Sequence, residues 1–148
     1  MEHLSSLTPR SSMDEAGHRT GIAVYRMEIG DLAGAQAELE RLIPLERWHP
    51  WPAFAWAAPM LAEVAVCTGD HARSRLLYDY LLPFSGFTDI VGGYACVCHG
   101  PVDFSLGLLA EELGRPDEAQ RYFASALAWS QRMNAPWDAA RVGAHRRG

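Results

Sequence analysis

Residues 94 to 101 read YACVCHGP, and Cys96, Cys98 and His99 form the densest group of metal- or redox-competent side chains in the chain. A structural zinc site takes four ligands, usually as two separated pairs, because tetrahedral geometry needs slack between neighbouring donors. Cys-X-Cys-His offers fewer donors, and its cysteines lack the two-residue spacer of common zinc knuckles. Cys67 could complete the set only by folding back onto it. The run therefore reads as a connecting loop whose cysteines pack as small hydrophobes. No metal and no cofactor is assigned. The alternative is a metal-binding or redox-sensing protein that uses Cys96, Cys98 and His99.

Other groups lead to the same non-enzymatic reading. The VGGY run at 91–94 has neither the spacing nor the lysine of a phosphate loop, and it reads as a turn. No pair of histidines shows the His-Glu-x-x-His spacing of a helical zinc site. Asp117 and Glu118 favour the start of a helix, whereas Glu111 and Glu112 read as a solvated face rather than an acid–base pair. Ser105 has no triad context. All thirteen basic residues are arginine, and the formal charge of −5 with a pI near 5.6 argues against a general nucleic-acid surface. Arg141, Arg146 and Arg147 make a basic tail too short to change that.

The elements that would position such groups are helical. At 148 residues the chain has the length of one domain, with 49% hydrophobic and 21% charged residues, as globular proteins do. Three turns recur, at Gly30-Asp31, Gly69-Asp70 and Gly114-Arg115, each between apolar runs of helical period. Glycine there ends a helix in the left-handed conformation, and Asp31 and Asp70 cap the helix that follows. After Pro101, the residues Leu106, Leu109, Ala110 and Leu113 mark one stripe, and Ala119, Tyr122, Phe123, Ala126 and Leu127 mark its partner. Pro59 should kink its helix or mark that helix's start. Strand alternation is weak everywhere except Phe87 to Val91.

The expected organisation is an all-α chain with a flexible segment at 1–12 and a single helical domain over 13–148. Its hairpins lie at about 13–46, 52–83 and 101–133, with a terminal helix at about 136–146. The N-terminal stretch has no apolar core of the signal-peptide kind. The longest uncharged stretch, Trp48 to Ala62, is about fifteen residues and contains three prolines, too short to span a bilayer. Three cysteines without an export signal point to a reducing cytoplasm.

The third hairpin resembles a tetratricopeptide repeat. Leu106 and Gly107 precede the turn glycine Gly114, while Ala119, Phe123 and Ala126 follow it at the family's spacing. The first hairpin keeps Ile22, Ala23, Ala35 and Leu39 in those places. The second keeps Leu61, Ala62 and Tyr78 but has Ser74 where a small alanine is usual. Turn-to-turn spacings of 39 and 45 residues exceed the family's roughly 34, which implies insertions. Over residues 51 to 140, the strings LYDYLLPFSG, GGYAC, GPVDFSLGLLA and RMNAPW resemble the tetratricopeptide-like region of bacterial multidomain ATPase regulators. These are LuxR-type transcription regulators and adenylate-cyclase-linked ATPases. The chain lacks the phosphate-binding loop and a recognition helix, so neither ATPase nor DNA-binding activity follows.

The resemblance implies a short α-solenoid of about three hairpins that serves as a protein–protein interaction or scaffold module in bacterial signalling or transcription control. In such arrays the first helices line a groove that takes an extended or helical peptide. Helix position alone nominates Val24, Trp56, Glu63, Phe104, Leu108 and Glu111 as its lining. The expected partner is a protein or peptide, with no nucleic acid and no membrane; the oligomeric state is left open. Trp48, Trp51, Trp56 and Phe54 read as a plug over the first inter-hairpin connection. A further alternative is a truncated remnant of a larger ATPase regulator.

Overall fold

The computed structural model describes residues 12–48, 50, 54–91 and 97–145, without the side chains at 12–14, 47, 89–91, 97–99, 144 and 145. The segment 1–11, Trp51, Cys96, Arg146 and Arg147 thus lie outside the described residues, as do the side chains of Cys98 and His99. Within the described residues the chain is all-α with one short β-hairpin. Its helices are α1 (Ser12–Glu28), α2 (Leu32–Leu42), α3 (Phe54–Thr68), α4 (His71–Leu81), α5 (Val102–Glu112), α6 (Pro116–Arg132) and α7 (Pro136–His145). Strands β1 (Thr88–Val91) and β2 (Val97–Pro101) pair antiparallel between α4 and α5.

The turns obey one rule. Gly30, Gly69 and Gly114 have φ of 81°, 69° and 70°, the left-handed region that glycine enters without a Cβ penalty. After each, the next amide reaches back five residues to close the helix end: Asp31 to Arg26, Asp70 to Ala65, and Arg115 to Ala110. The next helix then starts under a side-chain cap in two of the three. Asp31 accepts from Gly34 N and Asp70 from Arg73 N, each at 3.0 Å. The α6–α7 turn closes in the same way, Ala135 N to Ser130 O, with Asn134 at φ 51° in place of glycine.

Packing follows a repeated pattern. α1 lies against α2, α3 against α4, and α5 against α6; α3 also packs on both α1 and α2, and α5 on both α3 and α4. α5 is consequently the central helix, with every residue from Val102 to Ala110 buried. Its approach to α6 depends on Gly107, where an added Cβ would stand 2.5 Å from the Phe123 ring. Pro59 sits inside α3, which begins five residues earlier at Phe54, so it does not start the helix.

Adjacent hairpins are also joined by polar side chains. Gln36 on α2 donates to Asp70 at 2.8 Å, and Arg73 reaches across to the Ile43 carbonyl at 2.8 Å while pairing with Asp70 at 2.6 Å. On α1 and α2, buried Glu38 is held by Arg19 at 3.1 Å and Arg41 at 2.9 Å.

The β-hairpin revises one expectation. Residues 97–101 read as a loop entering a helix, yet they form β2. Gly and Pro at its end and the lack of clear alternation hide the strand, which exists through pairing with β1. Asp89 faces Gly100 while Ile90 faces Cys98, so His99 is the extra residue of a bulge beside Gly100, whose φ is 102°. Pairing runs on into the helix start, where Val102 N donates to Phe87 O at 3.0 Å.

Candidate partner-binding face

The six nominated residues come from α1, α3 and α5, and they do not form one open surface. Val24 is half-buried on α1 and packs against the core. Trp56 on α3 is also half-buried, its indole edge 3.2 Å from where a Cβ on Gly17 would lie, so it fills the α1–α3 seam. Phe104 and Leu108 are each only 6% exposed. That burial corrects their assignment as open lining: helical spacing marks one stripe of α5, but neighbours cover other sides of the helix too, with Arg141 of α7 lying over Phe104. Glu111, one position beyond the buried run, is exposed.

Two of the six are brought together by a third residue. Arg141 on α7 places Nη2 at 2.7 Å from Glu63 Oε1, and its guanidinium carbon stands 4.6 Å above the centre of the Phe104 ring. A cation within about 6 Å of an aromatic face is attracted by the ring quadrupole, and a half-buried carboxylate adds a charge-assisted hydrogen bond. The arrangement can thus grip a guanidinium from two sides. Its surroundings are acidic. Cys67, one turn beyond Glu63 on α3, has its thiol pushed up by burial and then by the charges of Glu63 and Glu28. A thiol held protonated in this way is a poor nucleophile.

On the α4–α6 side, Tyr78 donates to Glu118 at 2.5 Å and lies 3.4 Å from the Tyr122 hydroxyl, with Arg115 over its ring at 5.0 Å. Burial, then the hydrogen bonds to Glu118 and Tyr122, pushes the phenol far above its ordinary value. The same hydrogen bond, aided by nearby Arg115 and Arg121, holds Glu118 below the usual carboxylate range. Tyr78 therefore keeps its proton and acts as a donor that ties α4 to α6.

The tryptophan-rich connection is a packed cluster where it is described. Trp48 meets Phe54 and Tyr80 edge-on at 5.6 and 5.9 Å, Phe54 meets Tyr80 at 4.9 Å, and Phe54 is fully buried. An open groove of about 500 Å³ runs beside it, lined by Trp48, Leu76, Tyr80 and the exposed Arg75–Asp79 pair. Among the described residues, no three His, Cys, Asp or Glu side chains converge as a metal ion would require. No described helix is long and apolar enough to cross a membrane.

Sequence reasoning missed Arg141 as a site residue. It noted the position only as part of a basic tail, and no local spacing links it to Glu63, 78 positions earlier. The chain matches no family model, and no curated protein or solved structure is significantly similar to it.

Proposed function

We propose that this chain is a non-enzymatic protein-binding module, a short α-solenoid of three tetratricopeptide-like hairpins that presents the first helix of each pair to a protein or peptide partner. The observation that carries this reading is that α3 and α5 each pack on both helices of the hairpin before them. Repetition of that contact sets α1, α3 and α5 side by side, which is how stacked hairpins create a continuous recognition face. The close α5–α6 approach at Gly107 and Phe123 supports the same reading, since those residues carry the likeness to the repeat.

Kinship with the helical region of bacterial ATPase regulators, and hence a role in signalling or transcription control, is the finer part of the proposal. One contact supports it. Asp103 joins the PFSG string to the GPVDFSLG string through Ser85 and Gly86, so two pieces of that resemblance, separated in sequence, form a single structural unit.

The test places a photo-crosslinking amino acid at Glu111, exposed at the end of α5, and in a second protein at Arg75, exposed on α4. One defined partner captured from Glu111 and not from Arg75 supports the first-helix face. Capture from Arg75 alone moves recognition to the groove beside Trp48 and Tyr80.

A further inference from the structure

We infer that Glu63 and the Phe104 ring form a receptor for an arginine of a helical partner, and that α7 occupies this receptor in cis through Arg141. The inference rests on the proposed protein-binding face and deepens it, because it names what the face recognises.

The first ground is the geometry of the grip. Arg141 and Glu63 are 24% and 19% exposed, and their 2.7 Å contact holds the guanidinium over Phe104. Carboxylate at the edge and ring at the face match the planar, weakly hydrated guanidinium better than an ammonium group. The second ground is the slender attachment of α7. This helix packs mainly on α6. Val142 is its one buried side chain among those described, while Trp137 is 74% exposed. Beyond α6, Arg141 bonds Glu63 on α3, and Asp138 stands 3.1 Å from where a Cβ on Gly100 of β2 would lie. The third ground is charge. Glu28 and Glu63 both act on Cys67, and exposed Glu111 extends the acidic character of the first-helix side onto α5. A basic helix complements that side, and Arg141 supplies one such charge from within the chain.

Docking of α7 and binding of an arginine-bearing helix are then mutually exclusive at this point, so partner affinity is reduced by the fraction of molecules in which α7 is seated. Releasing Arg141 should open the site without disturbing the three hairpins, since α1 with α2, α3 with α4 and α5 with α6 pack on one another without α7.

The experiment uses the full chain as wild type, Arg141→Ala, Glu63→Gln, and the double variant. Its probe is a labelled peptide with the sequence of residues 134–148, beside the same peptide carrying Arg141→Ala. Hydrogen exchange reports α7 separately from α3 and α5. In Arg141→Ala and in Glu63→Gln, exchange over 136–145 should accelerate at least about tenfold while α3 and α5 keep their protection. The probe should bind the Arg141→Ala chain at least about tenfold tighter than wild type. Adding Glu63→Gln should remove that gain, and the alanine peptide should not show it. Unchanged exchange of α7 in both single variants overturns the inference and makes α7 a fixed cap. Accelerated exchange without Glu63-dependent probe binding also overturns it. In either case the broader protein-binding reading is judged separately, by crosslinking from Glu111.

Discussion

Asp103 on α5 accepts from Ser85 Oγ at 2.8 Å, and in doing so it fastens the end of the second hairpin to the beginning of the third. The same oxygen accepts from Gly86 N at 3.0 Å, and the other takes Ser125 Oγ of α6 at 2.5 Å. Asp103 is 3% exposed, so these three donors take over the role of water for a buried carboxylate. Asp103→Ala would leave them without an acceptor and should cost about 2–4 kcal/mol in chemical denaturation. Asp103→Asn keeps one acceptor oxygen and should cost roughly half as much. Equal losses for the two variants would mean that charge, rather than acceptor capacity, holds the junction.

Gly107 and Gly21 make opposite predictions from the same substitution. At Gly107 a new Cβ would meet ring atoms of Phe123 at 2.5, 2.6 and 3.0 Å, so α5 and α6 must separate. Gly107→Ala should destabilise the protein by about 1–3 kcal/mol despite the better helix propensity of alanine. Gly21 lies in α1 with nothing within 4 Å of its added Cβ. Gly21→Ala should therefore stabilise by about 0.5–1 kcal/mol. Denaturation midpoints of the two variants should fall on opposite sides of wild type.

Ser74 stands where the repeat pattern calls for a small apolar residue, and its cost is visible. The residue is fully buried, and its hydroxyl oxygen has no hydrogen-bond partner. Ser74→Ala removes that polar atom without enlarging the side chain, and should raise stability by about 1 kcal/mol. A loss of stability on making this change would show that the hydroxyl is engaged in solution.

The features legible in the sequence are those fixed by local backbone chemistry. Gly30, Gly69 and Gly114 announce left-handed helix ends, and Asp31 and Asp70 announce caps, because each requirement is met within a few residues. Phe123 was legible in the apolar stripe of its helix, but its pairing with Gly107 only through the resemblance to the tetratricopeptide repeat, not through periodicity. The break before α7 was legible from Pro136, but its closure in the left-handed conformation was not, because Asn134 serves there in place of glycine. β2 was hidden because its conformation depends on a partner strand. The burial of Phe104 and Leu108 was missed because periodicity identifies one face of a helix and says nothing of a neighbour covering the other. Arg141 was missed for a related reason: its meeting with Glu63 is created by the stacking of hairpins, which no short stretch encodes.

Asp70 gives the protein a pH dependence of known sign. Burial alone would raise its pKa, but the backbone hydrogen bond from Arg73, the side chains of Gln36 and Arg73, and the Arg73 charge together hold it below the usual value. A carboxylate depressed in the folded state contributes stability that is present above its unfolded pKa of about 3.9 and is lost as pH falls through the folded value. Asp70→Asn retains the cap geometry but lacks the charge that faces Arg73 at 2.6 Å. At pH 7 this variant should be less stable than wild type by about 1–3 kcal/mol. The difference should begin to narrow near pH 4 and close at more acid pH, as wild-type Asp70 takes up its proton. Denaturation of both proteins across pH 2 to 7 measures it. A gap that stays constant over that range would assign the loss to geometry and remove Asp70 from the acid-sensitive groups.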